Sequence, residues 1–333
     1  MPHKAPSWWA RDDWRALALS PASALYGAAV EARFARATPF RAPLPVICIG
    51  NFTMGGAGKT PLAIAVAGLL RGAGEAPAFL TRGYGGVERG PLWVNAASHD
   101  AALVGDEPLL LAAHASTLIA RDRPAGARAI AESGATVIVM DDGFQNPSLH
   151  KDFCLIAVDG GYGLGNGRVF PAGPLRARLA FQLPRADAVV AIGGEWSGPP
   201  SPAPLTRAAL RPVRAEWLRG ARVAAFCGIG RPEKFYSTLR EAGAHIVEAV
   251  SFADHYSYRE ADAARLLRIA RSTGAALVTT EKDYVKLSPN AAGALRELHA
   301  AARPLAIELW FAPDAEDTIK ALLISALSRK RRS

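Results

Sequence analysis

The chain has 333 residues, half of them hydrophobic, with 39 basic against 30 acidic side chains and a formal charge of +9 at neutral pH. That composition excludes a disordered chain and allows two domains of ordinary size, while the positive balance favours an anionic partner: polyphosphate, nucleic acid or an acidic membrane surface. The three cysteines, Cys48, Cys154 and Cys227, stand far apart inside apolar runs, which fits neither a zinc site nor a disulfide framework and reads as buried thiols in a reducing cytosol.

The opening MPHKAPSWWARDDWRALAL is not a secretory signal, because tryptophans, Asp12 and Asp13 precede its apolar part. No stretch reaches the ~18 uninterrupted apolar residues of a spanning helix. Trp8, Trp9 and Trp14, the run LALSPASALYGAAV broken at Pro21, and then Arg33, Arg36 and Arg41 fit two readings. Residues 1–45 form an amphipathic segment at a membrane interface, or a helix docked on its own domain. The basic tail SRKRRS admits the same choice between headgroup contact and solvated fraying.

From residue 46 apolar runs alternate with helical patterns: LPVICIGN (44–51), a helix from Thr60 to Gly72, APAFLTRGYGG, a helix near 107–115, STLIAR, a helix over 124–133, ATVIVMDDG (135–143), FCLIAVDGG (153–161) and ADAVVAIGG (186–194). Short apolar strands separated by helices predict a parallel sheet flanked by helices over 46–205. The stretch SGPPSPAPL (197–205) reads as a linker. Beyond it, ARVAAFCGIGRPEKFYSTLREAGAHIV, ALVTTEKDYVKL and PLAIELWF predict a second, smaller α/β domain over 210–333.

Chemistry concentrates in VICIGNFTMGGAGKTPLAIAVAGLL (46–70), a strand, a glycine-rich turn and a helix. Such a turn converges backbone N–H groups on one point at a helix N-terminus, a cradle for phosphate. Thr53, Met54, Gly55, Gly56, Ala57, Gly58, Lys59 and Thr60 form the nucleotide loop, with Lys59 for the β- and γ-phosphates of a nucleoside triphosphate, Thr60 for Mg²⁺, and Pro61 in the first helical turn. The pattern's usual first glycine is Thr53 here. In TVIVMDDGFQ the paired Asp141 and Asp142 end a strand where a carboxylate meets the loop-bound metal, although Asp142-Gly143 also suits a plain turn. In VGDEPLLLA, Asp106 and Glu107 stand where helix-capping acids stand. FADHYSY sets His255 beside Asp254, which can hold an imidazole in one tautomer. GGYGLGNGRVFPAGPLRARL lacks the dinucleotide register and reads as a flexible loop, with Arg168, Arg176 and Arg178 for an anionic substrate.

These stretches together resemble the tetraacyldisaccharide 4′-kinases of lipid A biosynthesis: GNFTMGGAGKTP, LTRGYGG, VGDEP, DDGFQ, GNGRVFPAGPLR, CGIGRPEKF, FADHYSY and TTEKDYVKL occur in the family's order across most of the chain. Threonine in place of the first loop glycine is a family trait. The resemblance implies a P-loop NTPase-type sheet with a smaller domain closing over the active-site cleft. It implies transfer of the γ-phosphoryl of ATP to the 4′-hydroxyl of an acylated glucosamine disaccharide 1-phosphate, at the cytoplasmic face of the inner membrane. It further implies Asp106 as the base, assisted by His255, with Glu107, Asp141, Asp142 and Thr60 organising Mg²⁺ and Arg123 steadying the transferring phosphoryl. The family's glutamate after PAGPLR is Ala177 here. A partitioning-type ATPase switch is the alternative, but such proteins carry lysine before the glycine pair, where this chain has Met54. A nucleic-acid binder lacks a recognition helix or an aromatic platform, and nothing in the sequence names a protein partner.

Overall fold

A strand whose every side chain is apolar must be covered on both faces. In the computed structural model, which describes residues 6–288 and 291–332, the chain forms β1 (Val46–Asn51), β2 (Pro77–Thr81), β3 (Leu92–Trp93), β4 (Thr117–Ile119), β5 (Val137–Asp141), β6 (Phe153–Asp159), β7 (Ala188–Ile192), β8 (Leu205–Pro212), β9 (Arg222–Cys227), β10 (His245–Ser251), β11 (Ala276–Thr280), β12 (Ala302–Leu305) and β13 (Ile307–Phe311). Every residue of β1, β2, β4, β5, β6 and β7 is buried. Among the described residues they belong to a nine-stranded sheet of order β13-β8-β7-β6-β1-β5-β2-β4-β3. Its seven inner strands are parallel, and β3 and β13 pair antiparallel at the edges. The second sheet, β10-β9-β11-β12, is parallel throughout.

The period of two sorts each strand onto two cores. Ile47, Ile49, Val137 and Val139 face one side, where the helices Lys59–Gly72 and Pro313–Arg332 supply Leu62, Val66, Ile319 and Leu323. Val46, Cys48, Ile138 and Met140 face the other, against Ala127 and Ile130 of the helix Arg123–Ala131 and Val169, Leu175 and Leu183. Cys48, Cys154 and Cys227 are free and buried.

Two expectations differ from the pairing. The sequence reading gives residues 210–333, with PLAIELWF, to the smaller unit, whereas β13 pairs with β8 in the large sheet and the C-terminal helix packs beneath it. Alternating residues of β13 suit the edge of either sheet, and only the long-range pairing decides. ALVTTEKDYVKL is a strand only to Thr280, after which Thr280 caps the short helix Glu281–Tyr284 by accepting from Asp283 N.

At the N-terminus, Asp13 caps the helix Trp14–Ala18, and Pro21 lies in the first turn of the helix Ser20–Arg36, where it starts the helix instead of breaking it. The segment is docked. The indoles of Trp8 and Trp9 donate to Pro171 O at 3.3 and 3.1 Å, Asn166 Nδ2 donates to Trp8 O at 2.8 Å, and Ser23 Oγ donates to Val169 O at 2.8 Å. Ion pairs join Arg168 to Asp12 and Arg178 to Glu31. Trp14, Leu17 and Leu25 nevertheless point outward, 72%, 60% and 75% exposed. Residues 1–5 of the expected membrane segment and Ser333 of the basic tail lie outside the described residues. Among the described residues no helix is long and apolar enough to cross a membrane.

Because Ile319 is fully buried under the nucleotide-loop helix, Ile319→Ala is expected to lower stability by about 2–5 kcal/mol, read as a lower urea midpoint. An unchanged midpoint would remove the C-terminal helix from the core of the large sheet.

Candidate active site

The glycine-rich turn leaves β1 at the carboxyl end of the sheet, where ligands bind in open parallel sheets. Asn51, fully buried at the end of β1, donates from Nδ2 to Thr53 O at 2.6 Å and Gly55 O at 3.3 Å, fastening the turn from inside. Thr53 bridges Leu175, Met54 N donates to Pro174 O at 2.7 Å, and Arg176 N donates to Phe52 O at 2.9 Å. Residues 165–178, expected as a flexible loop, are therefore pinned between the nucleotide loop and the N-terminal segment. Gly58 caps the helix Lys59–Gly72 at φ +84°, and a Cβ there would lie 2.8 Å from Ile192 Cδ1. Ala57 and Thr60 are buried.

In front of the turn lies a cavity of about 840 Å³ whose lining includes Met54, Gly55, Gly56, Lys59, Glu107, Arg123, Asp142 and His255. The same wall holds Arg33, Arg82, Arg121, Arg176 and Lys282, cations suited to a multiply charged substrate, and Tyr26, Ala29 and Val30 of the N-terminal helix.

Asp106 and His255 come from different sheets' environs and meet. Asp106 starts the helix Asp106–Ala112 after Gly105, whose φ of +94° and approach to Tyr84 O, 2.4 Å from a notional Cβ, leave room for no side chain. His255 adopts φ +56°, a conformation that non-glycine residues rarely take. Its Nδ1 lies 2.9 Å from Asp106 Oδ2 and 3.1 Å from Oδ1, and the Tyr84 ring packs edge-on at 5.1 Å. Asp106 is 5% exposed, and its Oδ1 accepts from Glu107 N at 2.9 Å. Burial raises its pKa, but the His255 hydrogen bond and the charge of Lys282 outweigh that and hold it below the usual carboxylate value.

The adjacent aspartates have different surroundings. Asp142, at φ +49°, accepts from both terminal nitrogens of Arg176 at 2.9 and 3.4 Å and lies 3.7 Å from Lys59 Nζ. Burial opposes its charge, but Lys59 and Arg176 lower its pKa. Asp141 is buried, and among the described residues its Oδ1 has no hydrogen-bond partner. Burial first, then Glu107 and Asp142, push it up to about 7. An orphaned carboxylate oxygen beside Glu107 and the start of the loop helix fits a hard divalent cation, which restores the missing positive charge. Among the described residues no three acidic or histidine side chains converge as a ready-made metal cage, and magnesium characteristically takes one or two carboxylates together with phosphates and water. Arg123, buried, donates to Ala120 O at 3.0 Å, and burial depresses it to about 10 against the pull of Asp141 and Asp142. It stays cationic at neutral pH.

Sequence reasoning gave no role to Asn51, Tyr84, Gln145 or Lys282. Gln145 donates to Asn51 O at 2.8 Å and accepts from Arg176 at 3.3 Å, bracing the turn. On the far side of the loop, buried Asp159 at the end of β6 accepts from Arg231 at 2.8 Å and Lys234 at 2.5 Å, a second ionic link between the two sheets.

The family model described as tetraacyldisaccharide-1-P 4′-kinase matches residues 15–324. A tetraacyldisaccharide 4′-kinase of Methylobacterium nodulans is 54% identical over 85% of this chain and 87% of its own length. Another, from Methylobacterium sp. strain 4-46, is 50% identical over 97% of this chain and 98% of its own. A crystal structure of the "apo" form of LpxK from Aquifex aeolicus in complex with ATP superposes with a TM-score of 0.74 at 27% identity, covering 94% of this chain and 99% of that one.

The raised pKa of Asp141 has a definite sign. A carboxyl titrating near 7 when folded and near 3.8 when unfolded makes the ligand-free protein lose stability as pH rises between those values. Asp141→Asn is expected to stabilise the chelator-treated protein at pH 8 by up to about 4 kcal/mol, with the gain fading toward pH 4. Urea unfolding across pH measures this, and a gain independent of pH would contradict it.

Proposed function

The chain belongs to the tetraacyldisaccharide 4′-kinase family, and from that premise we propose which of its residues carry the reaction. It is an ATP-dependent phosphotransferase that moves the γ-phosphoryl of ATP to the 4′-hydroxyl of a tetraacyldisaccharide 1-phosphate, the lipid A precursor, forming lipid IVA. The residue assignment rests on one observation, the Asp106–His255 contact beside a cavity lined by the nucleotide loop and by cations.

Main-chain N–H groups of residues 55–58 and the helix start hold the β- and γ-phosphates, with Lys59 reaching the same oxygens. Thr60, Glu107 and Asp141 would hold Mg²⁺, which would supply positive charge against the phosphates during transfer. Asp142 leaves that set: its carboxylate is the counter-ion that aims Lys59 and Arg176 at the cavity. Arg123 steadies charge on the transferring group. Asp106 takes the proton of the 4′-hydroxyl. A carboxylate is a weak base, but in a loose transition state the proton leaves late, so fixed position matters more than basicity. The smaller sheet, carrying His255, covers the cleft and excludes water that would compete for the phosphoryl.

The acceptor's acyl chains call for an apolar approach. The Ser20–Arg36 helix lines the cavity with Tyr26, Ala29 and Val30, and the N-terminal segment turns Trp14, Leu17 and Leu25 outward. These features support attachment to the cytoplasmic face of the inner membrane through docked helices whose outer side meets the lipid.

Asp106→Asn is expected to lower kcat by about 10²–10⁴-fold with the KM for ATP little changed, and Lys59→Ala to abolish turnover, both assayed as lipid-dependent ATP consumption. Near-normal turnover in the first would remove the base, and in the second the phosphate site. Replacing Trp14, Leu17 and Leu25 together by serine is expected to reduce partition onto phosphatidylglycerol vesicles while ATP affinity holds. Unchanged partition would leave the exposed face without a membrane role.

A further inference from the structure

Asp283, on the short helix Glu281–Tyr284, is fully buried inside the smaller unit and does not line the cavity. Its Oδ1 accepts from Tyr258 OH at 3.0 Å and pairs with the Lys286 ammonium at 2.6 Å. Its Oδ2 accepts from Gly228 N at 2.9 Å and from Thr280 Oγ1 at 2.6 Å. A carboxylate offers about four lone-pair sites, so three take hydrogen bonds and the fourth faces the charge that neutralises it. Gly228, Tyr258 and Thr280 stand at or beyond the ends of β9, β10 and β11, at the carboxyl end of the smaller sheet. One buried side chain therefore fastens three connections.

The connection after β10 carries His255. It begins where Phe252 N donates to Cys227 O at 2.8 Å, and it runs so close to Gly228 that a Cβ there would lie 2.8 Å from Ala253 O. It ends at Tyr258, whose ring packs edge-on against Phe226 and Phe252 and whose hydroxyl reaches Asp283. Between these anchors His255 holds its φ of +56°, a conformation that persists only where the surroundings over-determine it. Resting on the reading that the Asp106–His255 contact serves phosphoryl transfer, we infer that Asp283 is a positioning residue: by holding Gly228 and Tyr258 it fixes the 252–258 connection at both ends and so sets where the imidazole meets Asp106. Stability alone asks for no carboxylate here, since apolar side chains of similar volume often fill a buried ionic site as well or better. What the carboxylate adds is bonds in fixed directions. Asparagine does not reproduce them. Its NH₂ would face the Gly228 N–H in one orientation and the Lys286 ammonium in the other, and neither accepts a hydrogen bond.

The test is a double-mutant cycle on the full-length protein, with kcat and the KM for ATP read from lipid-dependent ATP consumption and folding read from urea midpoints. Asp283→Asn is expected to lower kcat on the order of 10²-fold with the KM for ATP nearly constant, since misplacing a reacting group by ~1 Å costs about that much. Tyr258→Phe, which keeps the buried ring and removes only the hydroxyl, is expected to lower kcat by about 10-fold. In the His255→Gln background both losses are expected to shrink to about 2-fold or less, because a group that acts through the histidine then has nothing left to position. A merely structural role would remove active protein by the same factor in either background. Wild-type kcat in a folded Asp283→Asn overturns the inference, as does a loss that multiplies in full with His255→Gln. Where Asp283→Asn does not fold, Tyr258→Phe decides by the same two criteria. Wild-type kcat in His255→Gln alone instead removes the role of the Asp106–His255 contact, and the inference with it.

Discussion

A carboxylate taken out of water must be met by donors or positive charge, and Asp106, 5% exposed, finds them on a different sheet's connections. That requirement ties the two halves of the molecule together beside the cavity. His255 supplies the hydrogen bond and Lys282 the charge, and both lie beyond strands that pair only within the smaller sheet. The contact that keeps this carboxylate ionised thus also joins Asp106 to a residue of the cavity wall. Stabilising the charge and excluding solvent are one structural act.

Behind the phosphate loop the same economy recurs. The turn itself is glycine-rich and intrinsically mobile, so its shape is imposed from outside. Asn51 and Gln145 brace it from within the sheet, and the main chain of residues 174–176 braces it from the side. That second brace is itself held by the indoles of Trp8 and Trp9 and by Ser23. The N-terminal segment therefore does more than offer an apolar outer face. It is the last member of a series of supports ending at the glycine-rich turn. Of the two readings the sequence allows, the docked helix is the one these contacts show, and the proposed interfacial role falls to its outer side.

Legibility followed the physics of each element. Parallel strands buried on both faces write unbroken apolar runs, so β1, β5, β6 and β7 could be read directly, and the turn announced itself because backbone cradles for phosphate need glycine. The edges could not be read this way. β8 and β13 are half-exposed ribbons whose partners are far away in sequence, and the proline-rich stretch before β8 resembles a boundary although β8 still belongs to the large sheet. In the site, motifs singled out Asp106 and His255, which the structure brings into contact, and Lys59, which lines the cavity, but not the different surroundings of Asp141 and Asp142. Neighbours on a chain look equivalent until one of them turns at φ +49° to meet Arg176. Lys282 lay between Glu281 and Asp283 like any solvated charge run. Its meaning is wholly tertiary.

The pairing of β8 with β13 fixes how the smaller sheet is attached. The chain leaves the large sheet at Pro212 and re-enters it at Ile307, and those two residues are register partners across one antiparallel ribbon. The intervening unit is a cassette spliced into a single edge hairpin, hung from two strands lying side by side. Twin suspension of that kind resists twisting and sideways slip while leaving one soft direction, bending across the ribbon. Any excursion of the cassette is thereby channelled along an arc, and each return delivers the imidazole to the same carboxylate.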